Sequence, residues 1–354
     1  MSSSTTAAGS STAPEKPSAP TPNVVRPFTT FQARGLIPPN FSAWRPRDTR
    51  NQPAKEIGWS CDGKYLAVCG NDKAIRVWQP DRTIDLRGAT SLTGAHGSSV
   101  DCITWHPSHP EILCSASKRD TKFVQWDTRT QKPVQTLNLT RRPLNIQYAP
   151  DGSCIMVVDD DDRLSFIKPG EMSADGRRPW TYGEASRPGP DAVPAYSAVW
   201  SHSSNAFFIG DSSGSVRVME NQSMEVLEKM NVHIGPCYVM ALDPRGKYLA
   251  TGGADSIVNL IGLDQWLPVR AISCFDGTVM AMSFSYDGEY IAVAGDNPFL
   301  DIIASETGEV VHRIAANPSP QSVAWHPVKH ALAYCGEASG PGTGNKGTIS
   351  VFMS

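Results

Sequence analysis

The chain holds 354 residues, 40% hydrophobic and 19% charged, with 29 Gly and 28 Pro, the profile of a globular protein rich in turns. A formal charge of −3 excludes a surface built mainly to grip a phosphate backbone, and no apolar run approaches the length of a membrane-spanning helix. Eight cysteines form no CxxC pair and sit mostly in apolar runs such as YLAVCG and EILCSAS, which points to buried thiols in a reducing compartment rather than disulfides or zinc.

Residues 1–25 are rich in Ser, Thr, Ala and Pro and are expected to form a disordered arm, without the apolar core of a signal peptide. Residues 1–50 carry Lys16, Arg26, Arg34, Arg45, Arg47 and Arg50 against Glu15 and Asp48, a net +4 that leaves −7 for the rest. Cytosol or nucleus is the expected compartment.

Seven segments then follow one plan. Each opens on a marker residue ahead of a polar turn, at Trp59, Trp105, Tyr148, Trp200, Leu242, Phe284 and Trp325, spaced by 46, 43, 52, 42, 42 and 41 residues. After each marker comes an apolar run (YLAVCG, ILCSAS, CIMVV, AFFIG, YLATGG, YIAVAG, ALAYCG), a tight turn, and a third run (AIRVW, KFVQW, RLSFI, SVRVM, IVNLI, FLDII, TISVF). Short runs rich in Val, Ile, Leu and aromatics, broken by Asp-Gly, Arg-Gly or Pro, are strands and hairpins. No window sustains a capped helical period. Repetition near 42 residues predicts an all-β, seven-bladed β-propeller over residues 53–354.

In the second segment His96, Ser115, Asp120 and Trp126 resemble the polar set of the WD40 repeat, a buried hydrogen-bonded network. A buried carboxylate and indole N–H need such partners. Asp72, Asp120, Asp161 and Asp255 each stand six residues before Trp78, Trp126, Ile167 and Ile261, so only the first two segments keep the tryptophan. The later blades are therefore expected to rely on apolar packing with fewer polar networks. The last segment ends at its third strand, and the missing outer strand is expected from Phe41–Arg47, within an N-terminal segment of residues 26–52. Insertions at 168–195 and 337–347 lengthen a connection in the third blade and a turn in the seventh.

Several stretches imitate chemistry. GDSSG (210–214) matches the serine-hydrolase elbow, and Gly342, Gly344 and Gly347 match a phosphate loop, but neither leads into a helix. His106, His109, His326 and His330 lie in turns and are expected to meet solvent rather than metal. Asp159 to Asp162 read as an acidic loop. No enzyme, cofactor or metal emerges.

Finer likeness lies in HGSSVDCITWHPSHPEILCSAS, ALDPRGKYLATGGADSIVNL, MSFSYDGEYIAVAGDNPFLDIIASETGEVV and SVAWHPVKHALAY. These resemble the THO complex subunit 3 family, the WD-repeat subunits of the THO core of the TREX assembly. The blade-three insertion and the Ser/Pro-rich arm depart from that pattern. The resemblance implies a nuclear, non-enzymatic scaffold that binds the other THO subunits, especially the large helical scaffold subunit. It implies indirect contact with TREX export factors, contact with RNA through the complex, and no membrane. Two surfaces are candidates for partner binding: Lys118 and Arg119 with Arg141 and Arg142, on one face of blades two and three, and Arg177, Arg178, Trp180 and Tyr182 in the insertion. A competing reading is a substrate receptor of a cullin–RING ubiquitin ligase, docked through FVQWDTR (123–129).

Overall fold

The computed structural model describes residues 54–80, 89–160, 163–172, 179–183, 194–273, 275–338 and 346–353. The expected arm, the closing strand at 41–47, Asp161 and Asp162, Arg177 and Arg178, and Gly342 and Gly344 lie outside the described residues.

Seven antiparallel sheets succeed one another along the chain, each built in sequence order. Their first strands are Ala54–Trp59, Cys102–Trp105, Pro143–Tyr148, Ala195–Trp200, Cys237–Leu242, Val279–Phe284 and Pro320–Trp325. The second and third strands are almost wholly buried, as their unbroken apolar runs require. Fourth strands, such as Lys132–Asn138, Val226–Asn231 and Val310–Ala315, face water along most of their length. They carry no run of apolar residues, which is why three strands per segment were legible and the fourth was not.

The insertion at 168–195 contains structure: Trp180–Tyr182 forms the fourth strand of blade three, paired to Ile167–Pro169. The insertion at 337–347 extends a hairpin, because Glu337 pairs with Gly347 and Ala338 with Lys346. Blade seven has three strands among the described residues, and the expected strand at 41–47 is not among them.

The marker residues hold neighbouring blades together. The indole N–H of Trp59 donates to Ala324 O at 3.1 Å, that of Trp105 to Gly58 O at 3.0 Å, and that of Trp200 to Gln147 O at 3.2 Å. Each bond runs from the end of one first strand to the first strand of the preceding blade. Through Trp59, blade one latches onto blade seven and the ring closes. Its apolar seam there joins Trp59, Leu66, Val68 and Trp78 to Ala333, Cys335 and Val351.

The turns behind the markers use the Asp-Gly chemistry read from the sequence. Asp62 accepts from Ser60 Oγ at 2.8 Å and from Lys64 N at 3.1 Å, and Gly63 has φ of +73°. A Cβ on Gly63 would also stand 2.1 Å from the His326 ring. His326 is buried there, its Nε2–H donating to Gly63 O at 3.0 Å and its Nδ1 accepting from Val328 N at 3.1 Å. His106 is buried likewise, against the Tyr148 ring at 4.9 Å. These histidines were expected to meet solvent. Instead they fill the seams between blades, because the turn after each marker folds over its neighbour.

Candidate functional site

His96, Ser115, Asp120 and Trp126 come together as one relay in blade two. Trp126 Nε1 donates to Ser115 Oγ at 2.8 Å, Ser115 Oγ lies 2.8 Å from His96 Nε2, and His96 Nδ1 lies 3.3 Å from Asp120 Oδ2. A neutral His96 protonated on Nδ1 satisfies every group in the chain, and burial lowers its pKa against the pull of Asp120. Asp120 also accepts from Gly97 N at 2.8 Å and Lys122 N at 3.0 Å, so it ties the loop before the first strand to the turn between the second and third.

The later blades are richer in polar networks than expected. In blade five His233 Nδ1 lies 3.0 Å from both oxygens of Asp255, and His233 Nε2 lies 2.9 Å from Thr251 Oγ1. Ile261 replaces the tryptophan, and the threonine carries the relay without it. In blade four Asp211 and Arg217 form a buried ion pair at 3.5 Å. In blade six Arg313 binds Asp301 through two bonds of 2.7 Å and lies 3.7 Å from the centre of the Phe299 ring. These pairs escape a search for the WD40 set because the partner comes from the facing strand, at no fixed spacing.

FVQWDTR is the third strand of blade two and the turn after it. Trp126 is buried in the relay, and Arg129, with a side chain 67% exposed, pairs with Asp127 of the same turn at 3.0 and 3.1 Å. GDSSG is a turn between strands: Ser213 Oγ donates to Asp211 at 2.6 Å, and Gly214 has φ of +84°. Among the described residues no group of His, Cys, Asp and Glu is placed to hold a metal ion.

The turn between second and third strands and the loop entering the first strand lie at the same end of every blade, since consecutive strands run in opposite directions. Lys118, Arg119, Arg141 and Arg142 therefore share one face. They are not alike. Arg141 stands 3.8 Å from the buried Asp159, and Arg142 stands 3.9 Å from Asp160. No carboxylate among the described residues pairs with the side chains of Lys118 or Arg119; the Lys118 backbone N–H donates to Asp101 at 2.7 Å. Only Lys118 and Arg119 are therefore available for charge reversal without disturbing an ion pair.

Trp180 and Tyr182 are half-buried in the outer strand of blade three. Trp180 N donates to Gln135 Oε1 at 2.9 Å, Gln135 Nε2 returns a bond of 2.7 Å to Trp180 O, and Ser165 Oγ donates to Tyr182 Oη at 3.1 Å. They join blade three to blade two, which leaves only their outer edges for a partner.

Sequence reasoning missed a ring on this same face. In six blades the first strand carries a bulge that leaves one residue unmatched: Lys55, Leu144, Tyr196, Tyr238, Met280 and Gln321. Each stands four residues before its marker, and Asp101 holds that position in blade two. Lys55 pairs with Asp101, and the Tyr196 and Tyr238 rings meet edge-on at 5.1 Å, so two pairs of successive members touch across blade boundaries. The signal was present as a fixed offset from the marker, but a fixed offset does not say that a bulge turns the residue outward.

At the opposite end, the first strands and their turns border an open pocket of about 510 Å³ lined by Trp200, Met240, Phe284, Tyr286 and Trp325 among others. Burial moves three ionisable groups of the ring toward neutrality. Glu56, on the first strand of blade one, is pushed up to about 7, and the thiols of Cys114 and Cys237 are pushed up to about 12.

A seven-bladed β-propeller with His–Ser–Asp–Trp and His–Thr–Asp relays is a WD40-repeat protein. The family model for the WD domain, G-beta repeat, matches residues 54–79, 224–261 and 266–297. The chain is 31% identical over 303 residues to THO complex subunit 3 of Arabidopsis thaliana, covering 85% of this chain and 92% of that protein. It belongs to the THO complex subunit 3 family. WD repeat-containing protein AAC3 of Dictyostelium discoideum is 24% identical, over 88% of this chain and 68% of that one. Among solved structures, the β-propeller domain of Cps50 (Swd1) from Myceliophteria thermophila superposes with a TM-score of 0.71 at 17% identity, covering 85% of this chain and 97% of that domain.

Proposed function

We propose that this chain is a non-enzymatic scaffold subunit of a nuclear THO complex. In this reading it couples transcription to messenger ribonucleoprotein packaging and export through protein–protein contacts. One observation carries the reading: the likeness to THO complex subunit 3 of A. thaliana extends over 85% of this chain and 92% of that protein. The physical character of the molecule supports it. Several ionisable side chains in the ring are engaged in relays and ion pairs, and those arrangements hold blades in place. A rigid ring of short turns presents a fixed surface, and binding then costs little ordering of the partner-facing loops. The large helical subunit of the complex is the partner expected to bury the most surface, with export factors and RNA reached through the assembly.

The test is affinity purification of the tagged full chain from the cells that express it, followed by quantitative mass spectrometry. Recovery of the THO subunits from the nuclear fraction is the expected result. A set of ubiquitin-ligase adaptor and cullin subunits in their place would overturn it.

A further inference from the structure

The ring of bulged residues divides by chemistry. In blades one and two it is the ion pair of Lys55 with Asp101. In blades three to six it is Leu144, Tyr196, Tyr238 and Met280, four apolar or aromatic residues on consecutive blades. Tyr196 is 44% exposed and Met280 45%, and Ile234, in the loop leading to the strand of Tyr238, is 95% exposed. Bulges at equivalent places set Tyr196 and Met280 away from the packed interior, so their exposure comes from the backbone and not from loose packing. Large apolar side chains grouped at the mouth of a rigid ring are the composition of an interface centre. Beside them, on blade two, stand Lys118 and Arg119 without acidic partners among the described residues. Arg119 is exposed and Lys118 half-buried.

We propose that this crescent docks an extended segment of a partner chain, with an aromatic or long aliphatic side chain seated against Tyr196, Tyr238 and Met280 and acidic residues directed toward Lys118 and Arg119. The commitment to an acidic segment follows from charge complementarity: among the described residues no carboxylate pairs with the Lys118 or Arg119 side chain, whereas Arg141 and Arg142 have Asp159 and Asp160. The docking face rests on the scaffold reading above and names the surface through which it operates.

The experiment compares the tagged full chain with Tyr196→Ser/Met280→Ser, with Lys118→Glu/Arg119→Glu, and with Val328→Ser, a residue 60% exposed at the opposite end of the ring. Recovery of co-purifying THO subunits and the thermal midpoint are both measured. Each pair variant is expected to lower recovery about tenfold with an unchanged midpoint, while Val328→Ser matches the parent. Recovery at parental level from either pair variant overturns the docking face while leaving the scaffold reading standing. Failure of the parent itself to recover any THO subunit overturns the scaffold reading, and the docking face falls with it. A photo-crosslinking amino acid at position 196 supplies the second measurement. A crosslink to a subunit peptide bearing acidic and aromatic or aliphatic residues supports the assignment, and a crosslink to RNA or to a basic peptide overturns it.

Discussion

Asp120 shows how much a single carboxylate organises in this protein. It receives His96 and the backbone N–H groups of Gly97 and Lys122, so Asp120→Ala leaves several donors unmet and is expected to cost about 2–3 kcal/mol. Trp126→Phe removes one donor from Ser115 and keeps the ring's bulk, which is expected to cost about 1 kcal/mol. Denaturant midpoints of the two variants at unchanged slope measure that ordering; equal losses would contradict the relay. Glu56 behaves differently. Burial raises its carboxyl from the ordinary 4.5 to about 7, against the hydrogen bond it accepts from Ile103 N. Folding therefore binds a proton at this site, and its contribution is complete below pH 4.5 and lost as pH rises through about 7. Glu56→Gln is expected to match the parent near pH 4.5 and to exceed it above pH 7, by on the order of 2–3 kcal/mol. Thermal midpoints across that range should diverge upward for the variant, and parallel curves would refute the shift.

At the scale of the strand, blade six shows what the likeness in FLDIIASETGE encodes. Asp301 is fully buried on the third strand and faces Arg313 directly across the ladder to the fourth. The exposed fourth strand is pinned by that pair and by the guanidinium over Phe299. Arg313→Ala strands a buried carboxylate and is expected to cost about 3 kcal/mol, while Arg313→Lys keeps the charge but not the two parallel bonds and falls between. Amide exchange in Val310–Ala315 should accelerate in both variants, and protection at the parental level would show that packing alone holds the strand. The turn beyond adds a stitch between blades: Glu306 accepts from Lys247 Nζ at 2.8 Å and from the Tyr248 hydroxyl at 3.0 Å. None of these partners was legible beforehand. Strand periodicity announces which residues are buried, but register decides which charges face each other.

For the whole molecule, blade seven is where the ring closes: Trp59 and His326 join it to blade one, while its third strand shows no outer neighbour among the described residues. We propose that residues 41–47 supply that neighbour. A chain beginning at residue 26 should then melt several degrees above one beginning at residue 48, and equal midpoints would rule the strand out. The sequence alone determined the strand type, the number of blades and the turns behind each marker, while the blade-two relay was what the WD40 resemblance implied. Strand type, blade number and turns follow from local periodicity and turn chemistry, which are properties of neighbouring residues. The tertiary structure decided the rest. It showed that turn histidines fill the seams between blades, that Arg141 and Arg142 are paired while Lys118 and Arg119 have no carboxylate partner among the described residues, and that Tyr196, Tyr238 and Met280 share a face. Each of these depends on which residues meet across blades, and closure of a ring brings together residues that no local pattern connects.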